Sequence, residues 1–267
     1  MKKNNWLYFI KYNNTFAETG SETLFNPASL NKIFYAIYLL DKYSLDYLRE
    51  NKMVLGFNYW RVHRKGTQKL KFSQIRRRFS LLELLEFALR DSCNIATAML
   101  ADYCGRGNVN AFIKEKLGLN FTHLPARGIG NESTLAELAK TLELVAETNL
   151  LTKEKRDFLL EIMLSRTTEA FIKPELVKNF RVYSKGGTTF TVQKRDMAIV
   201  QNRLSGKFGY VIFSDERDLP LPKYNLFDKL LAKQNKGKLH KHLRFVESSF
   251  GKYVAEKLSE TINNSGK

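Results

Sequence analysis

A serine and a lysine stand three positions apart where an apolar segment begins. Ser29 and Lys32 follow Asn26-Pro27, a polar and proline entry that is typical of a helix N-terminus. At this spacing both side chains share one helix face, so the amine can reach the hydroxyl. The run 33–40 is apolar nearly all round and predicts a buried helix. Two interpretations remain open: a serine nucleophile with a lysine base, or a helix-capping serine beside a lysine that extends to solvent.

Two further polar groups lie where predicted elements end. Ser92 and Asn94 fall at the junction of two helical patterns. Lys185 ends a predicted strand and precedes Gly186 and Gly187, whose missing side chains let a ligand approach the backbone closely. Along the chain the pattern is therefore S-x-x-K, then S-x-N, then a lysine followed by glycine on a strand.

The elements that must position these groups come from both ends of the chain. A strand over 6–12 and a hairpin return over 15–25 precede the Ser29 segment, whereas 40–172 has almost wholly helical periodicity. Within the helical part, Glu137 follows Thr134 by three residues and predicts a capping box. Late in the chain we expect three short strands and a final amphipathic helix, near 181–184, 197–200, 210–213 and 249–262.

The composition indicates a folded globular protein without a membrane span. Of the 267 residues, 43% are hydrophobic, and no apolar run approaches the roughly 20 residues of a spanning helix. Lys11 interrupts the first apolar stretch, so we predict no signal peptide: either the protein is cytoplasmic, as the sequence is written, or a leader has been removed from it. Cys93 and Cys104 lie about 16 Å apart along one predicted helix. Because a disulfide needs Cα atoms within about 7 Å, we expect no disulfide between them.

A net charge of +17 accompanies basic clusters at 76–78 and 223–244. This charge indicates either attraction to a polyanion (nucleic acid, wall polymer or anionic membrane) or only a solvated basic surface. No Cys/His spacing resembles a zinc site, and His240 and His242 in the second cluster are more typical of a solvated loop. We therefore predict no metal and no cofactor.

The three patterns, in this order and on these elements, resemble those of the penicillin-recognising serine enzymes, and most closely the class A β-lactamases. The resemblance covers nearly the whole chain, including 26–32, 81–96 and the element order over 150–187. It implies an α/β (α+β) fold of the β-lactamase/transpeptidase type, with an antiparallel sheet of about five strands flanked by helices. It also implies one catalytic domain over 1–267, with an α/β lobe from 1–41 and 173–267 and an inserted all-helical lobe over 42–172.

The resemblance and the residue types together assign roles. Ser29 would be the nucleophile and Lys32 its base, kept neutral because burial and the nearby charge of Lys185 lower its pKa. Ser92 would relay a proton to the leaving group, and Asn94 would hold the substrate amide.

Further roles come from the resemblance alone. The backbone N–H groups of Ser29 and Thr188 would form an oxyanion hole, with Gly187 beside it. Lys194 is similar to the family's cation for a substrate carboxylate, although a surface lysine in a basic turn is an equal alternative.

Three departures limit the resemblance. Gly186 replaces a threonine or serine that would bind the substrate carboxylate, although Thr188 or Thr189 could compensate. Cys93 replaces an aspartate and is more typical of a small packing residue. The loop before Ser133 lacks a Glu-x-x-Leu-Asn pattern, and its one carboxylate, Glu132, fits the start of the following helix. Without a base that activates water, we expect slow deacylation.

The leading hypothesis is thus a monomeric serine hydrolase or acyltransferase that acylates Ser29 with a β-lactam or a peptidoglycan-type peptide. The alternatives are a catalytically weak binding protein that contacts an anionic polymer, and a true class A-like β-lactamase. The resemblance suggests an extracytoplasmic location, in contrast to the sequence as written.

Overall fold

A computed structural model describes residues 6–63, 69–125, 130–165, 179–188 and 194–215, and residues 253, 256, 257 and 259–261. The strands are β1 (Trp6–Tyr12), β2 (Thr15–Thr19), β3 (Lys52–Val54), β4 (Arg78–Ser80), β5 (Phe180–Thr188), β6 (Lys194–Asn202) and β7 (Phe208–Asp215). The α-helices are α1 (Lys32–Lys42), α2 (Leu45–Glu50), α3 (Phe57–His63), α4 (Leu81–Leu89), α5 (Asn94–Cys104), α6 (Arg106–Glu115), α7 (Leu135–Glu147) and α8 (Lys153–Leu164). Over these residues, none of the helices has the length and apolar character that crossing a membrane requires.

Five strands form one antiparallel sheet in the order β2-β1-β7-β6-β5. The predicted sheet, assembled from both ends of the chain, is confirmed. Strands β1 and β2 meet at a tight turn in which Tyr12 pairs with Thr15 and Asn13 has φ of +52°. Asparagine is one of the few residues that adopt this left-handed conformation readily, which explains why the chain reverses there.

Apolar side chains cover both faces of the sheet. On one face, Tyr183, Ile199 and Ile212 belong to the large core that also contains α1. All eight residues of the run 33–40 are buried, which confirms the predicted buried helix. On the other face, a smaller cluster from β1, β5, β6 and β7 packs with Tyr253, whose ring lies 5.6 Å from that of Tyr8.

The prediction of an all-helical insertion between 42 and 172 is wrong at one place. Strands β3 and β4 pair there in an antiparallel register, with Met53 opposite Phe79. Strands of three residues are too short to display an alternating pattern, and their partner lies more than twenty residues away, so periodicity did not reveal them. Residues 253, 256, 257 and 259–261 are helical, within the predicted last helix. The basic segment 223–244, with His240 and His242, lies outside the described residues.

Candidate active site

Ser29 lies in a 3-10 turn, Ala28–Asn31, that leads directly into α1. The turn is entered through Asn26, whose Oδ1 accepts a hydrogen bond from the Ala28 N–H (2.9 Å), and Ala28 has φ of +50°. A left-handed alanine is uncommon, and such conformations concentrate at functional sites. Ser29 is half-buried, and its hydroxyl makes no hydrogen bond with the described part of the chain. No side chain caps either the turn or α1, so Ser29 is not a helix cap.

Lys32 is buried, with only 4% of its surface exposed, and does not extend to solvent. Its Nζ donates to the backbone oxygen of Ser92 (2.6 Å), to Ser92 Oγ (3.2 Å) and to Asn94 Oδ1 (2.8 Å). Burial lowers the pKa of Lys32 from 10.5 to about 7, against a weaker opposite effect of Cys93. Burial therefore favours the neutral amine that a lysine base requires.

Ser92 joins two lysines across the connection between α4 and α5. Its Oγ accepts a hydrogen bond from Lys185 Nζ (2.9 Å) as well as from Lys32. Lys185 is fully buried and also donates to the Gly186 carbonyl (2.8 Å). Ser92 itself has φ of +52° and is, like Ala28, a non-glycine residue in the left-handed conformation. The Ser92 hydroxyl is thus held between two amines in a left-handed connection, a conformation that concentrates at functional sites.

The hydrogens available on a neutral Lys32 limit how these contacts can be made. A neutral amine has two hydrogens and one lone pair, and the Ser92 carbonyl and the Asn94 Oδ1 can only accept. The lone pair must then face Ser92 Oγ, which can donate to it while accepting from Lys185. This arrangement connects Lys32 to Ser92 by one proton step. The sequence suggested a direct contact between Lys32 and the Ser29 hydroxyl, but among the described residues the hydrogen bonds of Lys32 Nζ go to Ser92 and Asn94.

Gly187 on β5 packs against the backbone of Ser29. A Cβ built on Gly187 would lie 3.0 Å from Ser29 N and 3.3 Å from the Pro27 oxygen. The sequence suggested that this glycine lets a ligand approach; in the structure it lets the strand approach the turn that carries Ser29.

Thr188 and Lys194 face each other at the end of the β5–β6 ladder. Because side chains alternate along a strand, Lys185 and Gly187 share the face of the sheet toward Ser29. The side chains of Thr188 and Lys194 leave the backbone on the opposite face. The structure therefore brings together Ser29, Lys32, Ser92, Asn94, Lys185 and Gly187. The substrate-binding roles of Thr188 and Lys194 stay predictions, and Thr189 lies outside the described residues.

Arg195 is a residue that sequence reasoning missed. It is only 1% exposed, its Nε donates to the Asn26 carbonyl (3.2 Å), and its guanidinium lies 5.5 Å from the centre of the Phe25 ring. It thereby fixes the segment that enters the Ser29 turn. In the sequence it follows Lys194 in a basic stretch, and nothing local distinguishes a buried arginine from a solvated one.

The loop between α6 and α7 is where the family resemblance places a carboxylate that activates water. Glu132 is exposed and pairs through its backbone with His123, two residues before the cap of α7, so it is not part of that helix. Thr134 does cap α7, by accepting from the Glu137 N–H (3.2 Å). The Glu137 carboxylate instead accepts from Asn120 N, Phe121 N and the Thr122 hydroxyl, at 2.6, 2.9 and 2.6 Å. The predicted capping box is only half formed, because the loop supplies better donors.

Comparison with known proteins extends this picture. The model of the beta-lactamase enzyme family matches residues 3–234. The class A beta-lactamase from Clostridium kluyveri is 22% identical, with a TM-score of 0.72 over 86% of this chain and 89% of that one. PBP-A is 18% identical, with a TM-score of 0.71 over 80% and 82%. A PBP-A mutant in an acyl-enzyme complex with penicillin G is also 18% identical, with a TM-score of 0.70 over 80% of this chain and 82% of that one. No curated protein sequence matches the chain.

Proposed function

The chain belongs to the beta-lactamase enzyme family, and from this we propose that it forms an acyl-enzyme on Ser29 with an amide or ester substrate. The substrate would be a β-lactam or a peptidoglycan-type peptide. One observation carries the proposal: Ser92 Oγ lies within hydrogen-bond distance of both Lys32 Nζ (3.2 Å) and Lys185 Nζ (2.9 Å), beside the turn that carries the half-buried Ser29. That set supplies a nucleophile, a base and a proton relay.

Acylation begins when Ser29 Oγ attacks the substrate carbonyl carbon and its proton passes to neutral Lys32. The Ser29–Lys32 contact forms in the substrate complex, because catalytic hydrogen bonds commonly tighten only there. Breakdown of the tetrahedral intermediate breaks the bond from carbon to the amide nitrogen. Ser92 donates its proton to that nitrogen and is reprotonated by Lys32, so the proton from Ser29 ends on the leaving group.

The developing oxyanion would be stabilised by the backbone N–H groups of Ser29 and Thr188. The close packing of Gly187 on Ser29 supports this assignment, because it sets the distance between the turn and the end of β5. Lys185 would add positive charge through Ser92. Since the Asn94 oxygen is occupied by Lys32, its amide NH₂ is the group that would face a substrate carbonyl.

Deacylation would be slow. Between residues 119 and 134 the sequence has one carboxylate, Glu132, which is exposed and pairs through its backbone with His123. Glu137, the next carboxylate, is occupied by three donors of the loop itself. Neither residue is arranged to activate a water against the ester carbonyl, so the acyl group would persist on Ser29.

Intact-protein mass spectrometry after incubation with penicillin G tests the proposal. We expect the protein mass to increase by that of one penicillin, and the increase to persist for many minutes. The increase should be absent in Ser29→Ala and present in the control Ser205→Ala, which removes an exposed hydroxyl on the turn after β6. Rapid release of hydrolysed penicillin would identify an efficient β-lactamase and contradict slow deacylation. No adduct with any β-lactam or activated ester would contradict the acyl-enzyme itself.

A further inference from the structure

We propose that a surface on the helical lobe docks onto an anionic phospholipid bilayer. We call it the basic–aromatic surface, and it is formed by Val54, Phe57, Lys71, Phe72, Arg76 and Arg78. None of these residues takes part in the chemistry assigned to Ser29, so the proposal does not depend on that function.

The stretch of sequence that forms this surface carries charge of one sign. Residues 51–80 contain nine lysines and arginines and no aspartate or glutamate, although the whole chain has 27 acidic residues. Lys71, Arg76 and Arg78 are exposed, and none of the three makes an ion pair within the described ranges. Their positive charge is therefore not neutralised locally and is available to an anionic partner.

The same surface exposes large apolar side chains. Phe72 is 59% exposed, Phe57 is 49% exposed and Val54 is 47% exposed. Their contacts keep them together: the Phe72 ring lies 4.9 Å from that of Trp60 and 6.5 Å from that of Phe57. Clustered exposed apolar groups with a polar rim are typical of an interaction site rather than of a bare surface.

Backbone pairing brings the cations beside the apolar groups. Val54 on β3 stands directly opposite Arg78 on β4, and both side chains are exposed. The pairing continues beyond the strands, where Arg76 N donates to the Leu55 carbonyl (2.8 Å). Residues adjacent across an antiparallel pair project on the same side, so Arg78 lies beside Val54, and Arg76 is held at Leu55, two residues before Phe57 along the chain.

The ring geometry favours a bilayer over a nucleic acid. Phe72 meets Trp60 at 67° and Phe57 at 83°, whereas Phe57 and Trp60 are stacked at 29°, so each of the three rings is engaged with the other two. Single-stranded nucleic acids instead require open ring faces on which bases stack. Exposed aromatic and aliphatic groups surrounded by lysine and arginine suit the headgroup region, where the former enter the interface and the latter contact anionic lipid.

The surface adjoins the candidate active site. Next to it, the Lys69 N–H donates to Cys93 Sγ (3.4 Å), and Lys69 Nζ lies 3.8 Å from Asp91. Cys93 and Asp91 flank Ser92. A bilayer bound at the basic–aromatic surface would therefore lie next to the segment that carries the Ser92 hydroxyl.

Co-sedimentation with vesicles tests the proposal. The full chain is mixed with vesicles of phosphatidylglycerol and phosphatidylcholine, or of phosphatidylcholine alone, at low and high salt. We expect binding only to the anionic vesicles, weakened by salt. The triple variant Lys71→Gln/Arg76→Gln/Arg78→Gln should bind about 100-fold more weakly, at about fivefold for each cation. Phe57→Ser/Phe72→Ser should lose about tenfold.

Matched controls separate this surface from general charge. Lys114→Gln/Arg203→Gln/Lys207→Gln removes three exposed cations elsewhere, and Leu204→Ser removes an apolar side chain that is 94% exposed. We expect both controls and Ser29→Ala to bind as the unaltered protein does, and thermal unfolding verifies that every variant is folded. Equal losses in the charge control, no binding to anionic vesicles, or binding only to an oligothymidylate would each overturn the proposal.

Discussion

The charge state of Lys32 provides the sharpest test of the active-site reasoning. Burial lowers its pKa from 10.5 to about 7, a difference that corresponds to about 5 kcal/mol in the free energy of protonation. Lys32→Met removes the amine and keeps a linear side chain. The variant also loses three hydrogen bonds, so the pH dependence of the stability difference, rather than its size at one pH, reports the ionisation.

The sign follows from proton binding. Above about pH 7 the folded protein has released the Lys32 proton, whereas the unfolded chain retains it up to about pH 10.5. The unfolded state therefore binds more protons in this window, and the unaltered protein gains stability as the pH rises. Relative to Lys32→Met, its free energy of unfolding should increase by about 2 kcal/mol between pH 7 and pH 9.

Urea unfolding of both proteins at several pH values measures this difference. The rate of acylation by penicillin G provides a second readout, because it should follow the neutral fraction of Lys32. It should rise about fivefold from pH 6 to pH 7 and less than twofold above pH 7. A stability difference that stays constant from pH 7 to pH 9, or a rate that still rises steeply toward pH 10, would show that Lys32 keeps its ordinary pKa.

Substitutions at three positions test the remaining geometry. Gly187→Ala places a Cβ 3.0 Å from Ser29 N, so we expect acylation to slow about 10- to 100-fold and unfolding to become easier by about 1–3 kcal/mol. Ser92→Gly and Ser92→Ala should both lower the acylation rate about 100-fold or more. The glycine variant should be about 1 kcal/mol more stable than the alanine variant, because glycine adopts the φ of +52° at this position without strain. Glu137→Ala should destabilise the protein by about 3 kcal/mol, because the carboxylate accepts three hydrogen bonds from the loop before α7.

Controls and contrary outcomes are specific to each substitution. Gly107→Ala adds a Cβ in α6 with nothing within 4 Å, and should leave acylation unchanged while stabilising the helix slightly. Acylation in Gly187→Ala at the original rate would mean that the strand does not set the position of Ser29. Normal acylation in Ser92→Ala would exclude Ser92 from proton transfer. If Glu137→Ala leaves the free energy of unfolding unchanged, water replaces the carboxylate as the hydrogen-bond acceptor. Chemical denaturation measures the stability of each variant, and the acylation assay measures its activity.

Local patterns in the sequence were sufficient for the elements that carry the site. The apolar run after Lys32 predicted a buried helix, and the late apolar stretches predicted three strands, one of which carries Lys185. These predictions succeed because periodicity over neighbouring residues reflects which face of an element is buried. The order of S-x-x-K, S-x-N and Lys-Gly likewise depends only on position along the chain.

Only the tertiary structure decided what these groups do to one another. Lys32 contacts Ser92, sixty residues away, and the resulting burial, not a neighbouring charge, lowers its pKa. Arg195 and Glu137 became structural anchors of the Ser29 turn and of the loop before α7 through partners that no local pattern reveals. Residue types and spacing thus determined which functional groups the chain possesses. Their protonation and partners depend on desolvation and on contacts between distant segments, which exist only once the chain has folded.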